Sequence, residues 1–202
     1  MIFEQLFDQK SSTYTYIIAS GEGREALIID PVIEHSDEYS TILKNLDLKL
    51  VKVIDTHIHA DHISALNELN KRTNCIRVMG EKSKSEVIDL RIKDGEKIKV
   101  EEVELQAIYT PGHTDCSYSF LMNDRVFTGD TLLINGSGRT DFQNGNAYDA
   151  YDSIFNKLLK LPEKTLVFPA HDYNGKKFST IENEKNNNPR LQVSSKEEYA
   201  DI

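Results

Sequence analysis

Leu50-Val-Lys-Val-Ile-Asp-Thr-His-Ile-His-Ala-Asp-His62 is the stretch that decides the fold. Its first five residues form a short apolar run, rich in β-branched side chains, which reads as a buried strand. From Asp55 the chain turns polar, with three histidines and two aspartates in eight residues, 55–62. Ile63, Leu66 and Leu69 then follow at three-residue spacing, which predicts a helix beginning near Asp61 or His62. A strand that runs straight into a polar loop and a helix is one α/β unit.

The flanking sequence repeats this arrangement. On the N-terminal side, Thr13–Ala19 (TYTYIIA) and Glu25–Asp30 (EALIID, stopped by Pro31) read as strands, joined by a hairpin turn at Gly21-Glu-Gly23. Ser36–Leu46 carries Tyr39, Ile42, Leu43 and Leu46 at helical spacing. On the C-terminal side, Cys75–Met79 is a short strand and Lys97–Tyr109 a long alternating stretch that predicts sheet. The polar segment Gly80–Asp94 between them reads as a short helix or an exposed loop. Ser117–Met122 and Arg125–Phe127 predict a hairpin across Asn123-Asp124. Leu132–Asn146 is glycine-rich and predicts an ordered loop, and Ala147–Leu161 predicts an amphipathic helix closed by Pro162. Thr165–Phe168 is a last strand, followed by a helix over Thr180–Lys185. No Gly-, Pro- or Ser-rich linker divides the chain, so residues 1–202 are expected to form one layered α/β domain with helices covering mixed sheets.

Composition narrows the partners. The 202 residues are 39% apolar and 28% charged, an ordinary globular mix. Lys and Arg number 24 against 33 Asp and Glu, a net charge of −9. Such an acidic chain is ill-suited to nonspecific nucleic-acid binding or to anionic membrane surfaces. No apolar run reaches spanning length. The two cysteines, Cys75 and Cys116, form neither a disulfide framework nor a zinc-finger pattern. The start, MIFEQLFDQK, lacks the features of a signal or transit peptide, so a cytoplasmic location is expected.

Chemistry concentrates at strand ends. Of six histidines, His57, His59 and His62 lie in THIHADH with Asp61 among them. His113 lies in TPGHTD and His171 in PAHDY, while Asp130 lies in FTGDT. Each site follows an apolar run or a Gly/Pro turn, and ligand sites of α/β sheets gather outside the carboxyl ends of strands. Imidazole and carboxylate without clustered thiolates suit Zn, Fe or Mn. His57 and His59 point to opposite sides of an ideal strand, so they can share one metal only on an irregular loop. His35 stands apart and reads as a surface residue at a helix start.

His57-Ile-His59-Ala-Asp61-His62, with PGHT at 111–114, Gly129-Asp130 and the late His171, resembles the metallo-β-lactamase superfamily over roughly residues 13–175. The resemblance implies an αββα sandwich: two mixed β-sheets back to back, flanked by helices, with metal at one edge. Gly136-Ser-Gly-Arg-Thr-Asp-Phe-Gln143, together with THIHADHI, PGHTD, FTGDTLL, HDYNG and NPRL at 188–191, is similar to the persulfide (sulfur) dioxygenases. That family implies one Fe(II) per chain held by His57, His113 and Asp130, a 2-His-1-carboxylate set with open positions. His59, Asp61, His62 and His171 then surround it or line a second metal site. The implied reaction takes glutathione persulfide and O2 to sulfite and glutathione. A homodimer is common in the family.

Tyr173 of HDY either places a phenol near the open positions or packs in the core. Arg139 and Asp141 either form an ion pair bracing the loop or act on substrate, with Arg139 gripping a carboxylate. Lys176, Lys177 and Arg190 are weaker candidates for holding an anionic tripeptide. Ser137 departs from the family, which often has Cys there. The rhodanese domain carried by many family members is not expected in the stretch after His171.

A two-metal thioesterase of the glyoxalase II type uses the same residues differently. His57, His59 and His113 then hold one ion, Asp61, His62 and His171 the other, often Zn, and Asp130 bridges. A noncatalytic metal-binding or sulfide-sensing protein is the third reading.

Overall fold

The computed structural model describes residues 1–202. Two six-stranded mixed sheets stack face to face, with helices outside each. The first sheet is β1 (Ile2–Asp8), β2 (Thr13–Ala19), β3 (Glu25–Ile29), β4 (Lys49–Ile54), β5 (Ile76–Gly80) and β6 (Leu90–Ile92), in that spatial order. β1 to β3 run antiparallel, and β3 to β6 run parallel. The second sheet comprises β7 (Lys97–Val100), β8 (Val103–Tyr109), β9 (Tyr118–Met122), β10 (Arg125–Gly129), β11 (Leu166–Pro169) and β12 (Ser179–Thr180). Its strands also neighbour one another in chain order, and β10–β11 is its parallel pair. Helices α1 (Ser36–Asn45) and α2 (Leu66–Thr73) cover the first sheet. Helices α3 (Ala147–Asn156), α4 (Ile181–Asn187) and α5 (Lys196–Asp201) cover the second.

Strand periodicity builds the layers. All of β2 is buried. Tyr14, Tyr16 and Ile18 face the second sheet, while Ile17 and Ala19 face α1 and α2. β3 divides likewise, with Leu27 and Ile29 between the sheets and Ala26 and Ile28 under the helices. Phe120, Phe127 and Phe168 from the second sheet complete the inter-sheet core. Val126, Val167, Ile154, Ile181 and Tyr199 form the outer core under α3 to α5. Three apolar cores between four layers give the expected αββα sandwich.

Several boundaries differ from the sequence reading. The helix expected from Asp61 or His62 begins at Leu66. Residues 63–65 instead pair with residues 31–33: Ile33 N donates to Ile63 O, Ala65 N donates to Pro31 O, and Ser64 bridges Val32. Asp61 and His62 therefore sit on a loop, and Ile63 is 67% exposed. The polar segment after Gly80 contains a strand, β6, where alternation was too short to read: only Ile92 of its three residues is buried. β1 was not anticipated. Lys97–Tyr109 breaks into two strands at Glu101, whose φ is 49°. The Ala147–Leu161 helix is α3 followed by a 3-10 turn at Leu158–Lys160. Asn146 starts α3 by accepting hydrogen bonds from Tyr148 N and Asp149 N.

Candidate metal centre

β8, β10 and β11 point the same way, because β8 and β10 each run antiparallel to β9 and β11 runs parallel to β10. Their carboxyl ends deliver His113, Asp130 and His171 to one edge, and the loop after β4 brings His57, His59, Asp61 and His62 to meet them. The Thr13–His171 bridge joins the two sheets there. The turn bearing His113 needs glycine. Gly112 has φ +142°, and a Cβ on it would lie 2.3 Å from Ala150 Cα of α3.

Asp130 Oδ2 is the focus. His113 Nε2 lies 3.4 Å from it, His171 Nε2 3.5 Å and His57 Nε2 3.8 Å. Each imidazole is oriented through its other nitrogen. His113 Nδ1–H donates to the Arg139 carbonyl at 2.8 Å, and His171 Nδ1–H to the Ser12 carbonyl at 3.1 Å. Thr56 donates its single hydroxyl proton to Asp30 Oδ2 at 2.9 Å, so its oxygen accepts from His57 Nδ1–H, also at 2.9 Å. The three Nε2 atoms are therefore left as lone pairs facing a carboxylate oxygen. Acceptors face acceptors with no proton between them, which a cation reconciles.

A second cluster adjoins the first. His59 Nε2–H donates to Asp30 Oδ1 at 3.2 Å. His62 Nδ1–H donates to Asp61 Oδ2 at 2.7 Å, with Thr13 Oγ1 donating to the same oxygen at 3.1 Å. This leaves His59 Nδ1 and His62 Nε2 buried without hydrogen-bond partners, as is Asp130 Oδ1. The ligand atoms of His57, His113 and Asp130 all lie within 4.8 Å of one another, and so do those of His59, Asp61 and His62. Burial and the neighbouring imidazoles push the His57 pKa well down. Burial opposes the charged form of His59, but the Asp30 carboxylate prevails and lifts its pKa to about 9. Burial also disfavours the charged form of Asp61, yet the His62 hydrogen bond and the surrounding imidazoles hold its carboxyl well below the usual range. Burial lifts Asp55 to about 7.

The cluster opens into a cavity of 410 Å³ walled by Asp61, His113, Asp130 and His171 on the polar side and by Leu133 and Phe142 on the apolar side. Ser137, Gln143, Arg139 and Tyr173 also line it. Tyr173 is 72% exposed, so the core-packing alternative fails; its ring stacks 6.1 Å from that of His171. Partial desolvation, with the Asp130 and Asp61 carboxylates nearby, raises the phenol pKa. Arg139 makes a two-pronged pair with Asp141, Nε–Oδ1 at 2.7 Å and Nη2–Oδ2 at 2.9 Å. Arg139 lines the cavity and Asp141 does not. Lys176, Lys177 and Arg190 also lie off the cavity lining. His35, at the start of α1, pairs with Asp8 and Glu38.

Sequence reasoning missed Asp30 and Thr56. Asp30 is 1% exposed and links His57 and His59 through the three hydrogen bonds that it accepts from Thr56 N, Thr56 Oγ1 and His59 Nε2. Its signal was available: it ends an apolar strand before Pro31, in the same context as the other site residues.

A sandwich with histidines and carboxylates at the carboxyl ends of its strands defines a metal-dependent class of α/β protein. Comparison with known proteins narrows it. The family described as the metallo-beta-lactamase superfamily matches residues 9–89 and 78–171. The persulfide dioxygenase ETHE1 of Mus musculus, described as mitochondrial, is 42% identical over 98% of this chain and 78% of its own. The crystal structure of ETHE1 from Myxococcus xanthus superposes with a TM-score of 0.97 at 48% identity, covering 100% of this chain and 89% of that one. A hydroxyacylglutathione hydrolase of Dictyostelium discoideum is 30% identical over 86% of this chain and 68% of its own. The chain belongs to the metallo-beta-lactamase superfamily and, within it, to the family of ETHE1 persulfide dioxygenases. No helix is long and apolar enough to cross a membrane.

Proposed function

We propose that this chain oxidises glutathione persulfide with O2 and water to glutathione and sulfite, at one Fe(II) held by His57, His113 and Asp130. The observation that carries this reading is the arrangement of oriented Nε2 lone pairs around Asp130 Oδ2, in a chain 42% identical to persulfide dioxygenases. Two imidazoles and one carboxylate would leave an iron ion room for further ligands, and iron would supply the one-electron chemistry that O2 requires. Overall the outer persulfide sulfur loses four electrons and O2 gains them; the thiol keeps the inner sulfur, and two protons are released with sulfite.

The protein's own residues position and tune. Thr56 and Asp30 hold His57 in the tautomer with Nε2 free, and the Arg139 carbonyl does the same for His113. Leu133 and Phe142 give the cavity one apolar wall for the reacting sulfur. Tyr173, on the rim beside His171, offers a neutral phenol to an anionic substrate. His171 and Asp61, whose Nε2 and Oδ2 lie 3.6 Å apart, provide proton-accepting groups in the same cavity.

The two-metal thioesterase is the second reading, favoured by the partnerless His59 Nδ1 and His62 Nε2. Against it, the chain is 42% identical to a persulfide dioxygenase and 30% identical to a hydroxyacylglutathione hydrolase. Hydrolysis of S-lactoylglutathione by the anaerobically purified protein separates the two. The dioxygenase reading predicts none above the metal-free control, and robust hydrolysis overturns it. A single domain over residues 1–202, supported by the apolar cores that its elements share, completes the proposal, and the free, buried Cys75 and Cys116 suit a reducing compartment such as the cytoplasm.

A further inference from the structure

Three consecutive loop residues beside the metal centre are each held by a residue from the C-terminal segment. Asn135 N donates to Glu184 Oε2 at 2.9 Å, and Asn188 Nδ2 donates to the Gly136 carbonyl at 2.9 Å. Tyr199 donates its hydroxyl proton to Ser137 Oγ at 3.0 Å. Glu184, Asn188 and Tyr199 are all fully buried, and Asn188 Nδ2 also donates to Glu184 Oε2 at 2.8 Å. The next residue, Gly138, donates its N–H to the Asp130 carbonyl at 2.9 Å. A buried network thus runs from the C-terminal helices to the backbone of the central carboxylate.

The Tyr199 contact has a chemical consequence. Ser137 Oγ accepts from Tyr199, so its own proton is free to be donated, and Ser137 lines the cavity. Of the other donors there, Arg139 gives Nε and Nη2 to Asp141, Gln143 gives Nε2 to the Ile58 carbonyl, and Tyr173 stands on the rim, 72% exposed. The carboxylates of Asp61 and Asp130 face the same space, so an anionic sulfur group entering it needs a donor fixed in advance.

We propose that Ser137 is a substrate-binding residue, its hydroxyl donating to the anionic sulfur end of the persulfide and to a sulfite oxygen of the product. Tyr199 is the positioning residue that fixes the orientation of that hydroxyl. This rests on the persulfide reading of the cavity.

The test compares the unsubstituted protein with Ser137→Ala, Tyr199→Phe and the double variant, all Fe(II)-loaded. Anaerobic calorimetric titration with sulfite is expected to show affinity about tenfold weaker in Ser137→Ala, since a hydrogen bond to a charged group is lost. KM for glutathione persulfide rises by a similar factor with bound iron unchanged. Tyr199→Phe alone weakens sulfite binding about threefold, and in the Ser137→Ala background it adds nothing, because the two act through one hydroxyl. A purely structural Tyr199 would give the same increment in both backgrounds, which overturns its positioning role. Sulfite affinity unchanged by Ser137→Ala, or no saturable sulfite binding to the unsubstituted protein, overturns the proposal. Absence of O2 uptake with persulfide overturns the persulfide reading instead, while the sulfite titration still judges Ser137.

Discussion

The Nδ1–H of His113 donates to the backbone carbonyl of Arg139 at 2.8 Å, while the Arg139 guanidinium pairs with Asp141 on the surface. The loop thus orients a candidate ligand through its main chain. Arg139→Ala keeps that carbonyl and removes the exposed ion pair with Asp141 and the guanidinium that lies 5.6 Å from the Phe142 ring centre. It is expected to retain the metal content of the unsubstituted protein, measured by atomic emission. Loss of the metal in Arg139→Ala would show that the side chain, and not the carbonyl, holds the site.

Thr56 is the sole hydroxyl link between His57 and Asp30. Thr56→Val keeps the shape and removes both hydrogen bonds. Metal affinity should fall roughly 10- to 100-fold, as for other partners that orient ligands. Competition with a chromophoric chelator measures this, and unchanged affinity contradicts the relay.

Gly138 packs against two parts of the centre. A Cβ there would lie 2.1 Å from the Asp130 carbonyl oxygen and 2.9 Å from His113 Nδ1. Gly138→Ala must therefore displace Asp130 or His113, and metal loading should be lost with a destabilisation of about 2 kcal/mol or more. Gly136→Ala, whose nearest neighbour would be Leu133 Cβ at 3.9 Å, serves as the tolerated control. Equal metal loading in both variants would refute the packing argument.

A pH effect is expected away from the metal. His35 Nε2 lies 2.9 Å from Asp8 Oδ1. The hydrogen bond to Asp8 is the main cause raising the His35 pKa, against burial. Burial opposes ionisation of Asp8, but hydrogen bonds from Ser11 and His35 prevail and lower its pKa to about 2. The raised His35 pKa gives stability that is full below its unfolded value near 6.5 and is lost as pH rises through the folded value. The lowered Asp8 pKa gives stability present above about 4 and lost as pH falls towards 2. The Tm difference between the unsubstituted protein and His35→Gln should therefore be larger at pH 5.5 than at pH 8.5. A difference independent of pH contradicts the pairing.

The site was more legible in sequence than the scaffold that orients it. His57, His113, Asp130 and His171 each follow a strand or turn signal, and histidine at a strand end carries its own chemistry. Asp30 and Thr56 are common residues whose role appears only when β3 and β4 lie side by side. Glu184, Asn188 and Tyr199 lie farther off in the chain, and their link to residues 135–137 is a tertiary contact without local periodicity. NPRL was visible as a motif, but not that its asparagine braces the Gly136 carbonyl. β6 escaped because three residues are too few to alternate, and α2 starts late because pairing with residues 31–33 outweighs helical spacing at Ile63.

The most direct test of the central claim joins metal analysis to oxygen uptake. The protein is purified anaerobically, metal is counted per chain, and glutathione persulfide is added at an oxygen electrode. The account predicts about one Fe per chain, O2 consumed and sulfite released in equal amounts, and loss of both iron and uptake in His113→Ala. Two metal ions per chain with no O2 uptake would contradict it.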